Sequence, residues 1–195
     1  EPVTKTLHLE HNDFSPFAME VLQKAVKDVL SSVALDNQNR VIAFILVEDI
    51  ANPFTPNLSR YPKMRPVFAL LEALDKPFMK NKTFFTGKIA HFWLAAVAEE
   101  YMGHGMFTEL DDATIQMAAN KGFDFAYADF TNPISEKITR QFKIIKLCNK
   151  SHYDNFMLEN KKPFKDLEGD AAAYIAAIRP GVKLESLSSC YTIES

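Results

Sequence analysis

A chain of 195 residues with 47% hydrophobic and 24% charged side chains excludes the collagen-like, coiled-coil and disordered classes, all of which need skewed usage. Its length predicts one domain over residues 1–195, since about 150 residues per domain is usual, and such a chain buries roughly 70% of its unfolded surface without staples. Twenty-two basic against 25 acidic residues leave a net charge of −3, which argues against a general nucleic-acid binder, because phosphate neutralisation needs a basic surface.

Residues 15–30 place Phe17, Val21, Ala25 and Val29 on one face, the spacing of an amphipathic helix, with Ser15 as N-cap and Pro16 in the first turn. Asp36-Asn37-Gln38-Asn39 is turn chemistry. Residues 41–47 are apolar and β-branched throughout, a strand buried on both faces. The proline-rich stretch 52–66 reads as a loop, and 67–74 as a helix ending near Pro77. Residues 89–97 predict another buried strand. Met106, Leu110, Ala113 and Met117 then line a helix that stops at Lys121-Gly122, a cation followed by a C-terminal glycine. A strand over 123–130, a helix over 135–142, and strands over 143–147 and 172–178 complete the order. This is α/β or α+β with a partly parallel sheet, and periodicity alone leaves dihydrofolate-reductase-like and ferredoxin-like sheets open.

Cys148 and Cys190 form no CxxC, and no pair of histidines stands near them, so neither a disulfide scaffold nor a metal site is expected. The longest purely apolar run, 171–178, is far short of the roughly 18 residues of a membrane span, and no signal peptide or lipidation motif is visible. A cytoplasmic protein is the expectation, as a monomer or homodimer. The start on Glu1 rather than Met leads us to expect residues upstream of it.

The chemically informative junction is 95–108, where a buried strand runs into Gly103-His104-Gly105 and the turn opens a helix. Successive main-chain N–H groups in such a turn, with the helix dipole behind them, can seat a pyrophosphate. The alternative is a turn that uses glycine for its backbone conformation only. A dinucleotide fingerprint would carry a third glycine, and a Walker loop a Gly-Lys-Ser/Thr ending; neither is present.

The segment resembles the acyl-CoA loop of the GNAT superfamily of N-acetyltransferases, V-x-P-x-Y-R-G-x-G-I-G, at Val97, Tyr101, Gly103, Gly105 and Met106. It departs at Glu99 (usually Pro), Met102 (usually Arg or Gln) and Phe107 (usually Gly or Ala). The resemblance implies an acetyl-CoA site formed by Ala96, Val97, Met102, Gly103, His104, Gly105, Met106, Phe107 and Thr108, with the phosphates held mainly by main-chain N–H groups. Weakened rather than abolished binding is expected from the departures. Residues 132–144 resemble the family's second cofactor segment, with Asn132 on the position that contacts the pantetheine arm or phosphates. Thr139 stands where many members carry the tyrosine that protonates the leaving thiolate, so that role does not carry over.

Glu1-Pro2-Val3-Thr4-Lys5-Thr6-Leu7 is similar to the E-P-[LV]-x-x-x-L segment of the arylalkylamine N-acetyltransferases. By that likeness Glu1 relays the amine proton and Ser135 sits near the thioester. The implied fold is a GNAT-like mixed, partly parallel sheet flanked by helices, lacking the family's first strand. The implied reaction is acetyl transfer from acetyl-CoA to a small primary amine, an arylalkylamine first. The alternatives are acetylation of a polyamine, an aminoglycoside or a protein amine, or an inactive CoA-binding module.

The reaction makes definite demands. An alkylamine attacks only when neutral and has a pKa of about 10, so a carboxylate such as Glu1 is needed. The oxyanion needs donors, and a splayed strand near Ala96 and Val97 can offer a main-chain N–H. His91 lies in an apolar strand and reads as a satisfied core histidine. His8, His11, His104 and His152 belong to no legible triad. Glu99-Glu100 and Asp111-Asp112 read as solvated or helix-start charges. Phe54, Phe68, Phe78, Phe84 and Phe85 are taken as a candidate wall for an apolar acceptor pocket, with ordinary core as the competing reading.

Overall fold

A computed structural model describes residues 2–81, 87–142 and 145–184 of the chain. The elements in order are α1 (Pro2–Thr6), α2 (His11–Asp28), β1 (Ser32–Leu35), β2 (Val41–Asp49), α3 (Arg65–Asn81), β3 (Ile89–Val97), α4 (Met106–Asn120), β4 (Phe125–Phe130), α5 (Pro133–Phe142), β5 (Lys146–His152) and β6 (Asp170–Ala177). The six strands form one sheet in the order β1-β2-β3-β4-β6-β5. Only β3 and β4 run parallel; every other neighbouring pair is antiparallel.

The period-2 alternation of β2 decides which layer each side chain joins. Ala43, Ile45 and Val47 pack with Leu110 and Ala118 of α4, whereas Leu46 packs with Phe17 and Val21 of α2. Further along the sheet, Leu70, Leu74 and Phe78 of α3 meet Ile89, Phe125, Tyr127 and Ile175. Phe130 and Tyr174 form a smaller cluster near α5, which contacts β4 and β6. Helices α2 and α3 therefore cover one face, and α4 and α5 the other.

Several boundaries differ from those predicted, each for a physical reason. Helix α2 starts at His11, not at Ser15, because Glu10 and Asp13 form a reciprocal capping box; Pro16 falls inside the helix. Helix α3 starts at Arg65 and runs on through Pro77. Its buried stripe of Leu70, Leu74 and Phe78 holds the helix on the sheet across the missing N–H. The loop before it contains two 3₁₀ turns, Leu58–Arg60 and Pro62–Met64. Strand β4 starts at Phe125 rather than 123, and α5 starts at Pro133, with the Asn132 side chain accepting from the Ile134 N–H at 2.9 Å. Strand β5 covers Lys146–His152, displaced from the expected 143–147, of which 143 and 144 lie outside the described residues.

Leu74 is fully buried between α3 and the sheet. Leu74→Ala should lower the unfolding free energy by about 2–5 kcal/mol, read from urea denaturation at pH 7.

Candidate active site

The parallel ladder between β3 and β4 is short. It covers four pairs, from Ile89–Phe125 to Phe92–Ala128. Past that point β3 continues along β2 to Val97, with Trp93 as the extra residue of an irregularity opposite Leu46 and Val47. Strand β4 continues along β6 to Phe130. Each strand thus keeps its outer partner and loses its inner one. Between them opens a cleft of about 760 Å³, lined by both strands, the 101–108 turn, α5 and β6.

At the mouth of the cleft Gly103 and Gly105 both have φ +79°. A Cβ at either would meet no neighbour, so these positions need glycine for their left-handed backbone, not for space. Gly105 is the N-cap of α4, and the orphan N–H groups of that helix start lie beside the cleft.

The structure brings together Ala96, Val97, Met102, Gly103, Gly105, Met106, Phe107, Thr108, Asn132 and Ser135, all of which line the cleft. His104 does not line it. Glu1 lies outside the described residues. Asp111 is buried in the first turns of α4 and lines the cleft, which corrects its reading as a solvated charge. The expected phenylalanine wall is also corrected: Phe54 and Phe68 pack around Phe17, Phe78 stacks on Tyr127 in the core, and Phe84 and Phe85 are outside the described residues. Among the described residues, the lining aromatics are instead Phe92, Trp93, Tyr101, Phe107, Phe130 and Tyr174. The Tyr174 hydroxyl, on the sheet beneath α5, donates to Glu136 at 2.5 Å.

Directly below the strand separation lies a buried polar chain that sequence reasoning did not assemble. His91 on β3 contacts Glu48 Oε1 on β2 through Nδ1 at 3.2 Å, and Asp129 Oδ2 on β4 through Nε2 at 3.0 Å. The second oxygen of Glu48 accepts from the Phe54 N–H at 2.6 Å. Tyr127 donates its hydroxyl to Asp75 Oδ1 on α3 at 2.6 Å. Burial works against a charged imidazole, but the hydrogen bonds to Asp129 and Glu48 overcome it and carry the His91 pKa up to about 10. His91 is therefore an imidazolium at neutral pH, donating from both nitrogens. Burial, then the charge of Asp129, pushes the Asp75 carboxyl up to about 8. Burial and the two carboxyls likewise raise Tyr127, which stays a phenol.

Asp129 Oδ1 is buried with no hydrogen-bond donor, and a protonated Asp75, within hydrogen-bonding reach of Asp129, is a group that can donate to this carboxyl. The chain then reads consistently from end to end: Tyr127 to Asp75, Asp75 to Asp129, His91 to both Asp129 and Glu48, and the Phe54 N–H to Glu48.

No protein-family model matches the chain, and no curated protein matches it by sequence. Solved structures do. The C-terminal condensation domain of Ebony, in complex with beta-alanyl-dopamine, superposes with a TM-score of 0.80 at 19% identity, covering 90% of this chain and 86% of that one. Arylalkylamine N-acetyltransferase 2 from Aedes aegypti gives 0.75 at 18% identity, covering 92% and 88%. An agmatine N-acetyltransferase gives 0.72 at 16%, covering 91% and 87%. The chain has the fold of the GNAT N-acetyltransferases. Within that fold it is similar to structures of arylalkylamine, agmatine and polyamine acetyltransferases.

Because the Asp75 carboxyl binds its proton more tightly folded (about 8) than at its ordinary 3.8, folding takes up a proton. Its contribution is complete below the unfolded value and is lost as the pH rises through about 8. Asp75→Asn mimics the protonated acid: the amide can donate to Asp129 and accept from Tyr127. The variant should fold, and its urea midpoint should fall less between pH 6.5 and 9 than that of the wild type.

Proposed function

We propose that the chain is an acetyl-CoA-dependent N-acetyltransferase acting on a small primary amine, an arylalkylamine first. The observation that carries this reading is the cleft between the diverging ends of β3 and β4, which leads from a left-handed Gly-x-Gly helix start to a polar network. Such a cleft fits an extended thioester. Its phosphate end meets the N–H groups of the 103–108 turn, and its amides can lie along the inner edge of β3, which has no β4 ladder beyond Phe92. Asn132 spends its side-chain oxygen on the α5 cap, leaving its NH₂ end as a donor toward the pantetheine arm.

On this reading the amine loses its proton to Glu1 and its nitrogen attacks the thioester carbonyl. Main-chain N–H groups at Ala96 or Val97 receive the oxyanion, the C–S bond breaks, and the thiolate takes a proton. Ser135, in the first turn of α5 and in the cleft wall, assists at the thioester. The lining aromatics make the cleft apolar, as an aromatic acceptor requires. The structures of arylalkylamine and agmatine acetyltransferases with the same fold support an amine acceptor.

Two measurements test the reading, beginning with thiol release from acetyl-CoA over a panel of amines. Gly105→Pro removes a donor and demands a φ near −65° where the chain has +79°; in a folded variant the acetyl-CoA Kd should rise at least about tenfold, and an unchanged Kd would take the turn out of the cofactor site. Glu1→Gln should lower kcat by about 10²–10⁴ and flatten the acidic limb of the pH–rate profile. An unchanged profile would remove Glu1 as the base.

A further inference from the structure

The buried polar chain carries an unbalanced charge. Three carboxyl groups, those of Glu48, Asp129 and Asp75, are gathered around one basic side chain, His91. Even with a proton held on Asp75, acidic groups outnumber basic ones two to one in the protein interior, and the excess is negative. Among the described residues lining the spaces beside it, no cation is placed to cancel it. Lys24 on α2 shares a small cavity with Glu48 but is ion-paired with Asp28, and among the described residues lining the large cleft none is basic. A buried net charge without a counter-ion is costly, so this region favours a cation in the adjoining space.

Asp129 is the residue through which the network meets that space. Of the five residues of the chain it alone is among those lining the cleft, and its side chain is only 5% exposed. It follows Ala128, the last residue of β4 paired with β3. Trp93 follows Phe92, the last residue of β3 paired with β4, and also lines the cleft. The indole stacks on Phe54 at 5.9 Å and meets Phe17 edge-on, and the Phe54 N–H is the one that holds Glu48. Asp129 and Trp93 thus follow the last paired residues of the two strands and line the same cleft, and Phe54 supports both Trp93 and the network.

Resting on the N-acetyltransferase reading, we propose that the acceptor enters as its ammonium and is held at the Asp129–Trp93 gap, so that the site selects cationic amines over neutral molecules of the same shape. The ammonium compensates the net charge of the network, and the indole takes the hydrocarbon or aromatic part of the ligand, with a cation–π contribution where the charge approaches the ring. Asp129 is a binding residue in this scheme. His91 and Asp75 are positioning residues: the first neutralises one of the two carboxylates, and the second, when protonated, can donate to the Asp129 carboxyl.

Calorimetry without any thioester separates this from turnover, using 2-phenylethylammonium and the neutral 2-phenylethanol as probes. The wild type should bind the ammonium at least about tenfold more tightly than the alcohol, as a charge-assisted contact predicts. Asp129→Asn should bring the two affinities together by weakening the ammonium only. Glu48→Gln removes one charge at the far end of the network without touching the cleft, and should narrow the preference in the same direction. A wild type with no preference for the ammonium overturns the proposal, whether or not a variant folds. A folded Asp129→Asn with the full preference overturns it too. A wild type that prefers the ammonium yet acetylates no amine upholds the subsite and refutes the transferase reading.

Discussion

The structure depends on a polar chain buried where two parallel strands come apart. Glu48, His91 and Asp129 tie β2, β3 and β4 together across the strand direction, and Tyr127–Asp75 ties β4 to α3. Parallel strands without a shared ladder have no reason to hold a fixed separation. Here the last paired residues, Phe92 and Ala128, are backed by charge-assisted hydrogen bonds one residue away on either strand. The sheet is held firmly just below the opening and released just above it. A fixed cleft follows from that contrast, with each released edge still supported by its outer neighbour.

The two ends of the cleft use different physics. At the 103–108 turn the feature is carried by backbone: positive-φ glycines and a helix start whose first N–H groups have no intrahelical partner. At the strand separation, capacity comes from side-chain charge buried in a medium where it is weakly screened. The proposed ligands, an extended thioester and a compact cationic acceptor, ask for that division.

Much of the fold was legible because it rests on local signals. Strand β3 matches its expected limits, Ile89–Val97, since an apolar run bounded by polar residues needs no tertiary information. Helix α4 stops at Lys121-Gly122, with Gly122 at φ +84°, for an equally local reason. The misread boundaries are those where packing or an unusual cap overrides propensity: Glu10–Asp13 ahead of Pro16, and the buried stripe that carries α3 through Pro77. The glycine turn could be placed on the chain, but the aromatic surface could not. Phe54 and Trp93 become neighbours only when the 3₁₀-rich loop folds over β2 and β3. His91 reads correctly as a satisfied histidine. Its partners stay hidden, because the bonds of the network join residues 43, 38 and 52 apart and depend on a strand order that sequence periodicity does not encode. The available signal was a titratable residue inside each of three largely apolar strands: Glu48, His91 and Asp129.

Helix α5 joins the two halves of the site. Its first turn is anchored by the Asn132 cap and by Glu136, which receives the Tyr174 hydroxyl from the sheet below. Ser135 lies between these two anchors in sequence, so its place in the cleft wall is set from both sides, by a backbone cap and by a tie to β6. Thr139, one turn further on, also lines the cleft, while the phenol in this region comes from the sheet rather than the helix. A hydroxyl of α5 and a phenol of β6 thus share one cleft wall, and the phenol's geometry depends on a carboxylate of α5, so the helix and the sheet beneath it set the donor geometry of the cleft together.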